Sequence, residues 1–171
     1  MPGKVTGILA CDPSWRGMAF TIYIPSLNYS NCYLFDLKDY SDSERFKQPK
    51  LTIEALVKVV GRLRSRECRL SLVDKVIIEN QYKQNMKTLS LLLSAVIQSK
   101  VRGCKVEYLS ALTCKRNYGI CLESTHNKNK QRMFEYVTGH KDELIGAPFV
   151  TDHNTADSCI ILNTWLAQRN R

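Results

Sequence analysis

From Val5 to Cys11 the chain reads VTGILAC, an apolar, β-branched run too short for a helix, and it stops at the turn signal Asp12-Pro13-Ser14. The pattern predicts a first strand ending at Asp12. MAFTIYI (18–24) and NCYLFDL (31–37), separated by PSLNYS, extend it into a meander of three antiparallel strands. The polar stretch 38–50, with a proline near its end, predicts an exposed loop.

The period then changes. Leu51, Ile53, Leu56, Val57, Val60 and Leu63 recur close to every 3.6 residues, which predicts an amphipathic helix over 51–67, slightly weakened by Gly61. KVIIE (75–79) is a short apolar run ending in an acid, the pattern of a buried fourth strand. TLSLLLSAVIQSKVRG (88–103) is long enough for a buried helix with Gly103 as its stop, and serves equally well as core or as a dimer contact. CKVEYL (104–109) predicts a fifth strand, and 127–140 a helix that is basic at its start. The final helix, TDHNTADSCIILNTWL (151–166), is apolar on nearly every side. Together these elements predict an α/β fold, a mixed five-stranded sheet flanked by helices, in one domain over residues 1–171.

Composition narrows the partners. Lys and Arg number 25 against 16 Asp and Glu, a formal charge of +9 that suits a polyanion such as nucleic acid. The seven cysteines are scattered, with no CxxC pair, and predict reduced, mostly buried thiols in an intracellular, soluble protein. A zinc site from Cys114, Cys121 and His126 matches no familiar ligand spacing. No apolar run reaches the roughly 20 residues of a membrane span, so no membrane is expected.

Three acids occupy positions that a core normally avoids: Asp12 at the end of strand 1, Glu79 at the end of strand 4, and Asp157 on the final helix. Each has an ordinary explanation alone, as a turn former, a strand end leaving for solvent, or a charge near a helix N-terminus. Jointly they suggest more. If strands 1 and 4 are parallel neighbours, their C-terminal ends lie side by side, where ligands of such sheets gather. Two carboxylates about 4 Å apart repel by roughly 4 kcal/mol at an effective dielectric near 20, so a proton or a cation must sit between them. Oxygen ligands of this kind favour Mg²⁺ or Mn²⁺. On the last helix, position 153 lies about 40° to one side of Asp157 and position 154 about 60° to the other. His153 and Asn154 therefore flank Asp157, while Asp152 is better placed as the N-cap.

ILACDPSWRGMAF (8–20), VIIENQY (76–82) and HNTADSCIILNTW (153–165), in this order and spacing, resemble the RuvC-like Holliday junction resolvases of the RNase H superfamily, in particular those of large DNA viruses and phages. The resemblance spans the whole chain. It implies an RNase H-like fold and a homodimeric endonuclease that resolves four-way DNA junctions by paired symmetric nicks. It further implies two divalent ions held by Asp12, Glu79, Asp157 and the residue three before the last acid. That family position is an Asp or a His, and here it is Asn154. An amide oxygen lacks charge and binds Mg²⁺ more weakly. The sequence leaves open whether His153 or Asp152 compensates, whether the site is slow, or whether it is disabled by a substitution. A family lysine before the last helix corresponds best to Lys130, with Lys128 close behind, and its use would be to neutralise the scissile phosphate.

For DNA contacts the basic candidates are Arg16, Lys83, Lys87, Lys115, Arg116, Lys128 and Lys130, with Tyr82 and Tyr118 near them. Tyr82, just after the IENQ motif, is a candidate to stack at an opened junction. Two rival readings stand beside the resolvase: another nuclease of the superfamily acting on branched DNA or hybrids, and a non-catalytic nucleic-acid-binding module with an impaired metal site.

Overall fold

In the structure, a computed structural model that describes residues 7–41, 49–120 and 126–170, five strands form one sheet. They are β1 (Ile8–Asp12), β2 (Met18–Ile24), β3 (Tyr29–Phe35), β4 (Lys75–Asn80) and β5 (Lys105–Ser110), in the spatial order β3-β2-β1-β4-β5. The first three are antiparallel; β4 pairs parallel to β1, and β5 parallel to β4. The expected mixed sheet flanked by helices is the one observed.

The central strand explains the layering. Every residue of β1 is buried, because helices cover both faces and no alternation of polar and apolar residues is needed. Leu9 and Cys11 point into a core shared with α1 (Pro49–Leu63) and α2 (Gln84–Lys100). Ile8 and Ala10 point the other way, into a second core with α3 (Ala111–Asn117), α4 (His126–Gly139) and α5 (His153–Arg169). The same alternation on β4 sends Val76 and Ile78 to the first core and Ile77 to the second.

Several boundaries differ from the sequence-based expectation for local reasons. The third strand starts at Tyr29 and ends at Phe35, two residues earlier than 31–37, since Asp36 caps a 3₁₀ turn over Leu37–Tyr40 by accepting from the Lys38 N–H. That turn occupies the start of the expected 38–50 loop; Pro49 and Lys50 already belong to α1, and 42–48 lie outside the described residues. α1 ends at Leu63 rather than 67, where the apolar stripe gives out. α2 runs over 84–100 instead of 88–103, and Gly103 (φ +76°) sits beyond its end. It buries Leu89, Leu93, Val96 and Ile97 as core, worth about 1.5–3 kcal/mol for each fully buried side chain, and leaves Leu91 exposed on the opposite face. β5 and α4 are each displaced by one residue, and α3 is an element that the sequence pattern does not announce.

α5 extends three residues past the expected 166. Its sides are buried against β1, β2, α3 and α4, as its apolar character requires. Its far end is tied to the edge strand: Trp165 Nε1 donates to Glu107 Oε2 (2.8 Å), and Lys75 and Arg169 pair with the same carboxylate. The Lys75 hydrogen bond is the main reason that Glu107 is held down at about 2. The described cysteines carry free thiols, five of them buried and Cys32 half-buried. Cys121 lies outside the described residues, and with it the weakly suggested zinc site. Among the described residues no helix is long and apolar enough to cross a membrane.

Candidate functional site

The parallel register of β1 and β4 runs to Cys11 opposite Ile78, so the next step brings the ends carrying Asp12 and Glu79 together. Alternation then fixes their direction. Asp12 shares a face with Ile8 and Ala10, and Glu79 with Ile77, so both carboxylates face the layer that contains α5.

α5 supplies the third acid, and its first turn is held by a reciprocal cap. The Asp152 carboxylate accepts from the Thr155 N–H at 2.8 Å, while Thr155 Oγ1 accepts from the Asp152 N–H at 3.0 Å. Asp152 is thus the N-cap expected from the helical angles. One turn further, Thr21 on β2 and Ser158 share a buried hydrogen bond of 2.8 Å that anchors the helix to the sheet beside Asp157.

Asp12, Glu79 and Asp157 line one cleft of about 510 Å³, together with Gln81, Lys115 and Lys130. Asp12 is only 7% exposed. Burial pushes its carboxyl well above the usual carboxylate range, and the charges of Glu79 and Asp157 and a hydrogen bond with Glu79 push it further, against the pull of Lys130. Asp157 is pushed up to about 7, by burial first and by Glu79 second, with Lys130 and Lys115 opposing. Glu79 also accepts from Gln81 Nε2 at 2.8 Å. The acids therefore repel one another across a desolvated cleft, which favours a proton on Asp12 or Asp157. A hard divalent cation relieves the repulsion in the same way, and three carboxylates are the donor type such an ion prefers. Among the described residues no group of three or more His, Cys, Asp or Glu side chains is arranged, as it stands, to hold a metal ion.

The other two polar residues of the α5 start behave differently from Asp157. Asn154 Oδ1 accepts from Lys130 Nζ at 3.0 Å, its Nδ2 faces Asp152 Oδ2 at 3.3 Å, and Lys130 Nζ stands 4.0 Å from Asp157 Oδ2. His153 does not line the cleft. Its ring packs edge-on against Phe134 of α4, with centroids 5.2 Å apart, and its Nδ1 is buried with no hydrogen-bond partner. The expected flanking role of His153 beside Asp157 is therefore not realised, because α4 offers its ring an apolar wall.

The basic and aromatic candidates divide. Lys83, Lys115 and Lys130 line the cleft, and Tyr82 lies at its rim, 71% exposed, with its hydroxyl 3.4 Å from Ser110 Oγ. Lys87 lines an adjoining groove of about 360 Å³ with Asn80, Leu91 and Tyr108. Arg16, in the β1–β2 turn, and Arg116 and Lys128, on α3 and α4, are exposed and stand outside the cleft lining. Tyr118 is half-buried against Tyr136, with centroids 5.3 Å apart, and packs in the core rather than joining the basic surface. Gln81 and Gly17 belong to the site without having been singled out. Gln81 lies inside the IENQ motif, but nothing in the sequence points Gly17 at Asn154.

Neither a protein-family model nor a curated protein sequence matches the chain. Solved structures do. The yeast mitochondrial Holliday junction resolvase Ydc2 aligns with a TM-score of 0.62 at 15% identity, covering 95% of this chain and 80% of that one. Thermus thermophilus RuvC in complex with a Holliday junction substrate aligns with a TM-score of 0.58 at 10% identity over 96% of this chain and 95% of its own. A further structure of Thermus thermophilus RuvC gives 0.54 at 11% identity, covering 96% of each chain. At these identities the likeness is one of fold, and it identifies the sheet and its helices as the RNase H-like architecture that these proteins share.

Proposed function

We propose that the chain is a divalent-metal-dependent endonuclease that resolves four-way DNA junctions by paired nicks. The observation that carries this reading is the meeting of Asp12, Glu79 and Asp157 in one cleft, at the C-terminal ends of two parallel strands, with lysines around it. The fold supports it, since its structural neighbours include a Holliday junction resolvase and a RuvC bound to a Holliday junction. The charge of +9 supports it as well.

In this reading Asp12, Glu79 and Asp157 hold Mg²⁺ or Mn²⁺, whose chemistry when bound is to make a water nucleophilic and to stabilise the leaving 3′-oxygen. The protein's own side chains do the rest. Burial of Asp12, 7% exposed, keeps competing water off its carboxylate. Lys130 brings a positive charge to the scissile phosphate, and Lys83 and Lys115 hold flanking phosphates by charge. Tyr82 presents an exposed ring on which an unstacked base can rest, a contact worth about 1–3 kcal/mol. Two nicks placed symmetrically need two clefts, so the working unit is a homodimer, and the exposed Leu91 side of α2 is a surface available for it.

The test is cleavage of a mobile four-way junction with Mg²⁺, with Mn²⁺ and with neither. The natural chain should make paired nicks only with metal, and Asp12→Asn should bind the junction and leave it uncut. A variant that cuts at the natural rate would remove Asp12 from the mechanism. Binding without cutting in both metals would identify a junction-binding module instead.

A further inference from the structure

Position 154 carries an amide where the resemblance places an Asp or a His, and its surroundings tie that amide to a lysine. Asn154 is committed at both ends: its oxygen accepts from Lys130 at 3.0 Å, and its nitrogen lies 3.3 Å from the capping carboxylate of Asp152. Turning the amide over would set its NH₂ against the Lys130 ammonium, donor against donor, so the network fixes the orientation. Gly17 of the β1–β2 turn lies close against the amide, on the side where any larger residue would crowd it. Lys130 is consequently held between Asn154 Oδ1 and, 4.0 Å away, Asp157 Oδ2. That is the place in which a cation shared by residues 154 and 157 would sit.

We infer that the centre takes a single divalent ion, and that the Lys130 ammonium, docked by Asn154, fills the place of a second. The inference rests on the nuclease reading above. Charge supports it: three carboxylates are neutralised by one divalent ion and one ammonium, whereas a second divalent ion beside Lys130 would leave excess positive charge in a desolvated cleft and repel the ammonium at close range. Asn154 is then a positioning residue. Its uncharged oxygen orients the ammonium without drawing a further metal, so what looks like a weakened ligand is a fitted partner for lysine.

The test counts ions. Titration calorimetry with Mn²⁺ on the full chain should give one ion per chain, abolished by Asp12→Asn, with an uncoupled Mn²⁺ resonance signal. The double variant Lys130→Met, Asn154→Asp should take two ions and show a spin-coupled pair. Two ions on the natural chain, or only one on the double variant, would overturn the inference and leave the nuclease reading intact. No uptake, or uptake indifferent to Asp12→Asn, would overturn both. If circular dichroism shows the double variant unfolded, Lys130→Met alone replaces it: a second, weaker uptake step is expected, and its absence counts against the inference.

Discussion

Gly17 lies directly against the side chain of Asn154, so that a Cβ at Gly17 would come within 2.4 Å of Asn154 Nδ2 and 3.2 Å of its Cγ. Gly17 also has φ +80°, a left-handed conformation that other residues adopt at a cost. Gly17→Ala should therefore lower stability by about 1–3 kcal/mol. Because the displaced amide no longer docks Lys130, it should slow cleavage more than it weakens junction binding. Denaturant unfolding and single-turnover cleavage would show this; an unchanged midpoint would mean that the contact is not held in solution.

The acid cluster predicts an inverted pH dependence for the metal-free chain. Asp157 rises from its ordinary 3.8 to about 7 on folding. A raised carboxyl contributes stability that is complete below the unfolded value and lost as pH rises through the folded one. Three units correspond to about 4 kcal/mol at most, and Asn at this position avoids much of that loss while forfeiting the Lys130 contact. In chelator, Asp157→Asn should thus be more stable than the natural chain by about 2 kcal/mol near pH 8, and the gain should vanish near pH 4. Mn²⁺ should reverse the order near pH 8. Equal stabilities at both pH values would show that burial and the Glu79 charge do not raise Asp157.

Junction affinity should fall steeply with salt, because each neutralised phosphate releases counterions. Lys83 and Lys115 line the cleft beside the acids. Substituting either by Ala should reduce the slope of log affinity against log salt by about 1. Fluorescence anisotropy across a salt series, with the metal omitted to prevent cutting, measures it, and an unchanged slope would place that lysine outside the DNA contact.

The chain signals some of these features plainly and hides others. The end of β1 is legible because a fully buried strand reads as an unbroken apolar run and an acid closing it stands out, whereas β4, buried only at Val76–Ile78, runs one residue past Glu79 to Asn80. Asp152 as cap is legible from the helical angle alone. α3 is not, since seven residues ending in Lys115, Arg116 and Asn117 carry too short a period to distinguish from a turn. The early start of α2 is hidden for a related reason: Gln84, Asn85 and Lys87 are exposed and add nothing to an apolar pattern. The site is legible in its three acids and opaque in its support. The Lys130–Asn154 contact joins residues 24 apart through the packing of α4 on α5, and the fate of His153 depends on Phe134, a partner that helical geometry within one element cannot reveal.

The Thr21–Ser158 bond has a consequence for how the molecule comes into being. Asp12 and Glu79 precede Asp157 in the chain, so a ribosome delivers two of the three acids before the helix that completes them. Whatever chemistry they perform together is withheld until that helix docks.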